Sequence, residues 1–346
     1  MAGQRAERPL PAQDLDHVLG ATAGLWPQLD GARLFITGGT GFFGVWLLET
    51  LLAARERFGL DTTAVVLTRD PAGFEAKSPH IASEVTLLEG DVRSFGFRAG
   101  PFDYVIHAAT ETSARLNEEQ PLEMFDGIVT GTRRVLDFAA QAKTRRLLFV
   151  SSGAVYGRQP LDVSHIDEEF TGGPDPTDVR SAYRDGKRAA ELLCAMSPVE
   201  TAIARCFAFV GPGLPLDRHF AIGNFIGDAL EGRTIDVRGD GTPRRSYLYA
   251  ADLAIWLWTI LLRGAPMRPY NVGSERAMSV AELAHAVAKS VEPPVRVEIA
   301  GTPDPSKAPE RYVPSTRRAQ QELGLAEQIG LDDAIARTIA WHSDSR

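Results

Sequence analysis

The chain has 346 residues, long enough for two modest domains or one large α/β domain with an added lobe. Its composition, 44% hydrophobic and 24% charged, suits a protein with a sizeable core, and a formal net charge of −8 without any basic run argues against a nucleic-acid partner. The two cysteines, Cys194 and Cys206, form no disulfide or metal-ligand pattern and fit a reducing, cytoplasmic setting; no stretch is apolar for long enough to span a membrane, and residues 250–262 read as a core helix.

Residues 1–30 form an extension. Leu15, Val18, Leu19, Thr22 and Leu25/Trp26 recur there at helical spacing behind Asp14, a candidate N-cap. The stripe suits packing on the body or on a second subunit. An apolar run at residues 34–36 then breaks into Thr37-Gly38-Gly39-Thr40-Gly41-Phe42-Phe43-Gly44, and helical periodicity resumes over residues 45–52. Strand, glycine turn and helix in this order hold the pyrophosphate of a dinucleotide. Gly38 allows the tight turn, Gly41 lets the backbone approach the phosphates, and Gly44 lets the helix lie close to the strand. The helix N-terminus offers unpaired N–H groups to the anion.

The second strand, residues 63–69, ends in Thr68-Arg69. An acidic residue at this point takes a ribose 2′-hydroxyl, and an arginine suits a 2′-phosphate, so the cofactor expectation is NAD or NADP with a lean toward NADP. A third strand at residues 85–88 runs into Gly90-Asp91-Val92, with Asp91 and Val92 placed to meet the adenine. A fourth strand, residues 103–109, ends in His107-Ala108-Ala109, where small residues permit close approach to a ligand; His107 reads as a packed strand-end histidine. A helix over residues 131–142 leads to a fifth strand, residues 146–152, ending in Ser151-Ser152. Alternating strands and helices at this spacing predict a parallel sheet covered on both faces, with ligands bound beyond the strands' carboxyl ends.

Beyond Ser152 comes Ser181-Ala182-Tyr183-Arg184-Asp185-Gly186-Lys187, leading into a helix over residues 189–196. Tyr183 and Lys187 are four residues apart and share one helix face. An ammonium beside a phenol favours the phenolate, so Tyr183 is the expected general base and Ser152 the hydroxyl that holds the same substrate oxygen.

With these motifs in order, the chain resembles the extended short-chain dehydrogenase/reductases that remodel nucleotide sugars. The matching pieces are Thr37 to Gly44, Asp91-Val92, His107-Ala108-Ala109, Ser151 to Gly157 and Tyr183 to Lys187, followed by residues 205–212, 239–247 and 315–325. The resemblance covers residue 31 to the end. It implies a Rossmann-type doubly wound parallel sheet with a smaller C-terminal α/β substrate lobe. The division it suggests is an extension at 1–30, a dinucleotide-binding domain at 31–209 with residues 250–275 returning to it, and a substrate lobe at 210–249 and 276–346. Carried over by position, Ser152, Tyr183 and Lys187 oxidise a sugar hydroxyl, usually at C4. Lys187 also holds the nicotinamide ribose, Arg245 the diphosphate, Asn224 the substrate, and Arg311 the nucleotide. The implied partner is a nucleoside diphosphate sugar, in a homodimer built through a two-helix face.

The departures narrow the chemistry. Where the sugar 4,6-dehydratases of this family carry an Asp-Glu pair, this chain has Gly153 and Ala154, and UDP-glucuronate decarboxylases usually keep a glutamate at the position of Ala154. Ala208 and Ile128 stand where asparagines are common, and Glu111 and Thr112 are candidates for an extra acid or base. The second lobe begins with a Gly/Pro-rich turn at residues 211–215. It continues as a helix over 219–230, a short strand over 234–237, a capped helix over 279–290 with Ser279 and Glu282 as a capping box, and a proline-rich wrap at 303–314. The resulting expectation is a 4-epimerase, with an NADPH-dependent 4-keto-sugar reductase as the alternative. A non-catalytic dinucleotide sensor is a further one.

Overall fold

A computed structural model describes residues 7–110, 114–217 and 220–343. Strands β1 (Arg33–Thr37), β2 (Thr63–Thr68), β3 (Thr86–Glu89), β4 (Tyr104–His107), β5 (Arg146–Ser152) and β6 (Thr201–Cys206), with Pro269–Val272, form one seven-stranded sheet. Its spatial order is Pro269–Val272, β6, β5, β4, β1, β2, β3, and every pairing is parallel.

The strands read as near-continuous apolar runs because both faces are covered. Side chains alternate across the sheet. Leu34, Ile36, Val66, Ile106, Leu148 and Ala204 join one core cluster, and Phe35, Val65, Val105, Leu147, Phe149 and Ile203 join the other. The helices α1 (Ala12–Thr22), α2 (Phe42–Phe58) and Ala250–Arg263 supply the first cluster, while Pro121–Gln141 and Ala182–Met196 supply the second. The helix Pro121–Gln141 begins ten residues before the expected start. Pro121 is preset for a first turn, and Met124 and Ile128 extend the buried face toward the N-terminus. α2 stops at Gly59, whose φ of 65° places it in the left-handed region while its N–H bonds the Arg55 carbonyl.

The extension is part of the core. Pro11, not Asp14, precedes α1, and no side chain caps the helix. Asp14 lies fully buried inside the first turn instead. Its Oδ2 accepts the Tyr249 hydroxyl at 2.6 Å and its Oδ1 accepts Arg337 Nη1 at 2.6 Å. Tyr249 in turn meets the Trp46 ring of α2 edge-on at 5.9 Å. One carboxylate thus ties the extension to α2 and to the last helix, Leu331–Ser343.

The remaining strands are short. Phe209–Val210 pairs with Leu248–Tyr249, and Ile235–Val237 with Val297–Ile299. Arg244–Arg245 lies between Met278–Ser279 and Arg311–Tyr312. The helix Val280–Lys289 opens on the capping box, with the Glu282 N–H on Ser279 Oγ at 3.0 Å and the Ser279 N–H on Glu282 Oε2 at 2.6 Å. The helix carrying Asn224 is Ala221–Leu230; His219, where it was expected to start, lies outside the described residues. Among the described residues no helix is long and apolar enough to cross a membrane.

Arg337 keeps its pairing with Asp333, but removing Asp14 leaves the buried Tyr249 hydroxyl without its acceptor and takes one carboxylate from Arg337, so Asp14→Ala costs ~3 kcal/mol of unfolding free energy. Denaturant titration of the variant against wild type checks this, and a loss under ~1 kcal/mol contradicts it.

Candidate active site

At the carboxyl end of β1, Gly38 takes φ +73°, and a Cβ there would stand 2.5 Å from the Ala108 carbonyl carbon. A Cβ on Gly44 would stand 2.3 Å from the Gly38 oxygen. The protein's own backbone therefore demands both glycines. Gly41 differs: a Cβ would meet nothing of the chain closer than 3.5 Å. Its φ of −90° is open to any residue, and it begins a helix that no side chain caps. Open space at Gly41, Phe42 and Phe43 beside uncapped N–H groups fits a pyrophosphate. Thr40 precedes them in the turn. Ala108 and Ala109 close the loop from β4, the Ala109 N–H bonding Thr37 Oγ1 at 3.2 Å. His107 is packed between Thr37 at 2.7 Å and Thr132 at 3.0 Å, and burial pushes its imidazole down to about 3.

At the far edge Thr68 ends β2 buried and Arg69 is exposed. Asp91 is clamped by Arg93, whose Nε and Nη2 reach its two oxygens at 2.8 and 3.0 Å. That pairing, with the field of Arg69 behind it, holds the Asp91 carboxyl below its ordinary range. Val92 packs against Gly131, where a Cβ would meet its Cγ1 at 2.9 Å. This end of the sheet thus carries two arginines around one carboxylate.

Ser152 ends β5 and accepts the Ala154 N–H at 3.1 Å. Tyr183 and Lys187 share one face of Ala182–Met196, with the Tyr183 phenol near Ser152. The lysine does something other than expected. Its buried Nζ donates to Thr110 Oγ1 at 2.8 Å and to the Val150 carbonyl at 2.8 Å, with the Phe149 ring 5.0 Å away. Burial pushes the ammonium down to about 8. Burial holds the Tyr183 phenol above its ordinary value.

A second phenol lies nearby. Tyr312 stacks on Phe207 at 4.7 Å and carries the Arg245 guanidinium 5.9 Å from its ring centre, and burial pushes its phenol up. Phe207 also fills the space beside Gly153, where a Cβ would lie 2.6 Å from its ring. No residue larger than glycine fits at 153 without moving that ring.

Beneath Ser152 lies a polar network. Ser151 donates to Glu191 at 2.5 Å, Arg205 grips both Glu191 oxygens at 3.0 and 2.7 Å and donates to the Tyr156 hydroxyl at 3.0 Å, and Tyr156 donates to Asn271 at 2.7 Å. Its groups are paired throughout, which fixes the end of β5.

The structure brings Ser152, Tyr183, Lys187 and Arg245 to one region, with Asn224 on the helix Ala221–Leu230. Arg311 is in register with Arg244, while Tyr312 is in register with Arg245, so Arg311 faces away from that pair. Glu111 and Thr112 lie outside the described residues. Sequence reasoning missed Tyr312, Phe207 and Thr110. The signal for Tyr312 was an aromatic residue in a proline-rich tract; nothing local marks its approach to Phe207 and Arg245.

Gly41→Ala leaves the melting temperature unchanged and weakens dinucleotide binding ~10-fold or more, read by calorimetry with NAD and NADP; unaltered affinity removes the phosphate role of Gly41. Lys187 generates a pH dependence. Its folded value of about 8 lies below the ~10.4 of an unfolded lysine, so between these the unfolded chain binds the extra proton and stability rises with pH. Thermal unfolding of cofactor-free protein from pH ~7.5 to ~9.5 shows this rise. Lys187→Met lacks it.

Comparison with known proteins fits this arrangement. Residues 34–273 match the model of the NAD dependent epimerase/dehydratase family. UDP-glucuronic acid decarboxylase 6 of Arabidopsis thaliana is 30% identical over 308 residues, covering 88% of this chain and 86% of the relative. UDP-glucuronic acid decarboxylase 2 of the same plant is 29% identical over 94% of this chain and 72% of its own. Among solved structures, UDP-glucose 4-epimerase of Thermotoga maritima superposes with a TM-score of 0.76 at 17% identity, covering 90% of this chain and 99% of its own. The dTDP-glucose 4,6-dehydratase DesIV of Streptomyces venezuelae, solved with NAD bound, gives 0.75 at 22% over 90% and 97%. These last two show a shared fold. With its glycine loop, its Ser-Tyr-Lys set and this match over most of its length, the chain belongs to the NAD-dependent epimerase/dehydratase family of extended short-chain dehydrogenase/reductase enzymes.

Proposed function

We propose that the protein is a nucleoside diphosphate sugar 4-epimerase: it oxidises the sugar at C4 and returns the hydride to the opposite face. The observation that carries this reading is the Phe207 ring against Gly153, next to Ala154. The position that needs an acid for dehydration is filled by an aromatic wall, and its neighbour is a methyl group. What remains at the serine can move one hydroxyl proton. Tyr183 takes the proton from O4, and Ser152 holds that oxygen. Lys187, buried beside Thr110, holds the nicotinamide ribose. A bound nicotinamide supplies a hydride acceptor and donor. Arg245 holds the diphosphate and Asn224 the substrate; Arg311, in register with Arg244 and not with Arg245, holds the nucleotide from the other side of that strand. The Arg69/Arg93 frame around Asp91 supports NADP over NAD. A homodimer through Pro121–Gln141 and Ala182–Met196 accords with Leu122, Leu192 and Met196 standing exposed on them.

Decarboxylation is the second reading, because the curated relatives are UDP-glucuronic acid decarboxylases. Oxidation at C4 is shared by both routes. Decarboxylation then needs a proton delivered to C5, and neither Gly153 nor Ala154 can deliver one.

Incubation with UDP-glucose and, separately, UDP-glucuronic acid distinguishes the readings by NMR of the products. The C4 epimer of the first, with no carbon dioxide from the second, supports the epimerase; carbon dioxide release establishes the decarboxylase. Oxidation of added NADPH by a 4-keto sugar, with neither product formed, establishes a reductase. Tyr183→Phe lowers whichever rate is found ~10³-fold. An unaffected rate removes Tyr183 from the chemistry.

A further inference from the structure

An ammonium group has three N–H donors and no acceptor. Lys187 is 3% exposed, and two of its donors are placed, on Thr110 Oγ1 at 2.8 Å and on the Val150 carbonyl at 2.8 Å. The lysine only donates, so the Thr110 oxygen has to accept, and the hydroxyl's one proton goes to the Ala109 carbonyl at 2.7 Å. The donor roles along this row are therefore fixed. The segment carrying it is packed on the glycine turn. The Ala108 N–H bonds the Thr37 carbonyl at 3.1 Å, the Ala109 N–H bonds Thr37 Oγ1 at 3.2 Å, and the Ala108 carbonyl closes on Gly38. We propose that Thr110 is a positioning residue: it ties the Lys187 ammonium to the cofactor turn and leaves the third N–H for the nicotinamide ribose. The proposal rests on the reading of Lys187 as the ribose ligand.

Burial makes this tie necessary, because a buried charge is costly unless hydrogen-bond partners replace the water it loses. The titratable groups around the ammonium do not replace it. The His107 imidazole of β4 is pushed down to about 3 and is neutral. Burial pushes up the thiols of Cys206 on β6 and Cys194 on the lysine's own helix, so both stay protonated while Lys187 titrates. The Tyr183 phenol, one turn before the lysine, is held up in the same way. Glu191, one turn after it, has both oxygens gripped by Arg205. The Phe149 ring at 5.0 Å and the Val150 carbonyl belong to β5, which does not touch the glycine turn. Among the described residues, Thr110 is the side chain that accepts from Lys187 and also reaches the cofactor turn through its own segment.

The test is calorimetric titration of the cofactor-free protein with NAD and with NADP across pH ~6 to ~9.5. Binding that requires the ammonium weakens as pH rises through the Lys187 value, about 8 in wild type. Thr110→Val keeps the side-chain shape and removes the acceptor, which disfavours the charged lysine. The midpoint of the alkaline limb falls by ~1 unit, the size of a hydrogen bond to a charged group. Affinity is then ~fivefold weaker than wild type at pH ~8 and within ~twofold of it at pH ~6. Thr110→Ser restores the wild-type midpoint, and Thr110→Ala repeats the comparison with a smaller side chain. In Lys187→Met the limb is absent, and adding Thr110→Val changes the affinity no further. Thermal unfolding gives a readout without cofactor: the rise of stability with pH begins ~1 unit lower in Thr110→Val. An unchanged midpoint in the valine and alanine variants overturns the proposal, and so does an equal loss of affinity in the Lys187→Met background. If Lys187→Met binds both dinucleotides as wild type does, the reading of Lys187 as the ribose ligand falls, and the proposal with it.

Discussion

The parallel sheet is buried on both faces, and this constraint organises everything else. Two aliphatic and aromatic clusters cover its faces, which leaves the strands' carboxyl ends as the place where such a sheet meets a ligand. The glycine turn, Thr68-Arg69, Asp91, Ala108-Ala109 and Ser152 all sit at such ends or just beyond them. The glycines express the same constraint in two ways: Gly38 and Gly44 are required by protein atoms, and Gly41 has free space in front of it.

Burial also sets the electrostatics of the reacting centre. It pushes the Lys187 ammonium down to about 8 and the Tyr183 phenol up, so in the cofactor-free protein both groups lean toward their neutral forms. Two of the three N–H groups of the Lys187 ammonium go to Thr110 and the Val150 carbonyl. Beneath Ser152, the Glu191–Arg205–Tyr156–Asn271 network holds the end of β5 rigid without adding a free charge to the site.

The extension shows how an added segment becomes structural. Residues before the family match enter the core through Asp14, whose carboxylate joins Tyr249 and Arg337, while His17 meets the buried Asp252 at 3.3 Å. Trp46, in contact with Tyr249, also donates its ring N–H to the Pro212 carbonyl at 3.0 Å. The extension is thereby connected to the helix that begins at the glycine turn and to the start of the second lobe.

Local pattern determined the parallel sheet, the glycine turn, the Ser152–Tyr183–Lys187 spacing, the packed role of His107 and the capping box at Ser279, because each depends on residues near one another in the chain. Helix ends were less legible, as at Pro121, where a buried face and not a capping signal fixed the start. Other features depended on contacts across long stretches of chain. Asp14 resembles an N-cap in sequence, yet its partners lie 235 and 323 residues away. Gly153 and Ala154 announce a missing acid pair, but only the fold shows Phe207 filling that space. Tyr312 comes beside Arg245 and Phe207 through strand pairing between Arg311–Tyr312 and Arg244–Arg245, a register that no local propensity encodes. Sequence determined which chemistry the chain can support, since that follows from residue types at short spacing. Tertiary structure decided which groups face the reacting hydroxyl, since desolvation and hydrogen-bond geometry exist only once distant segments meet.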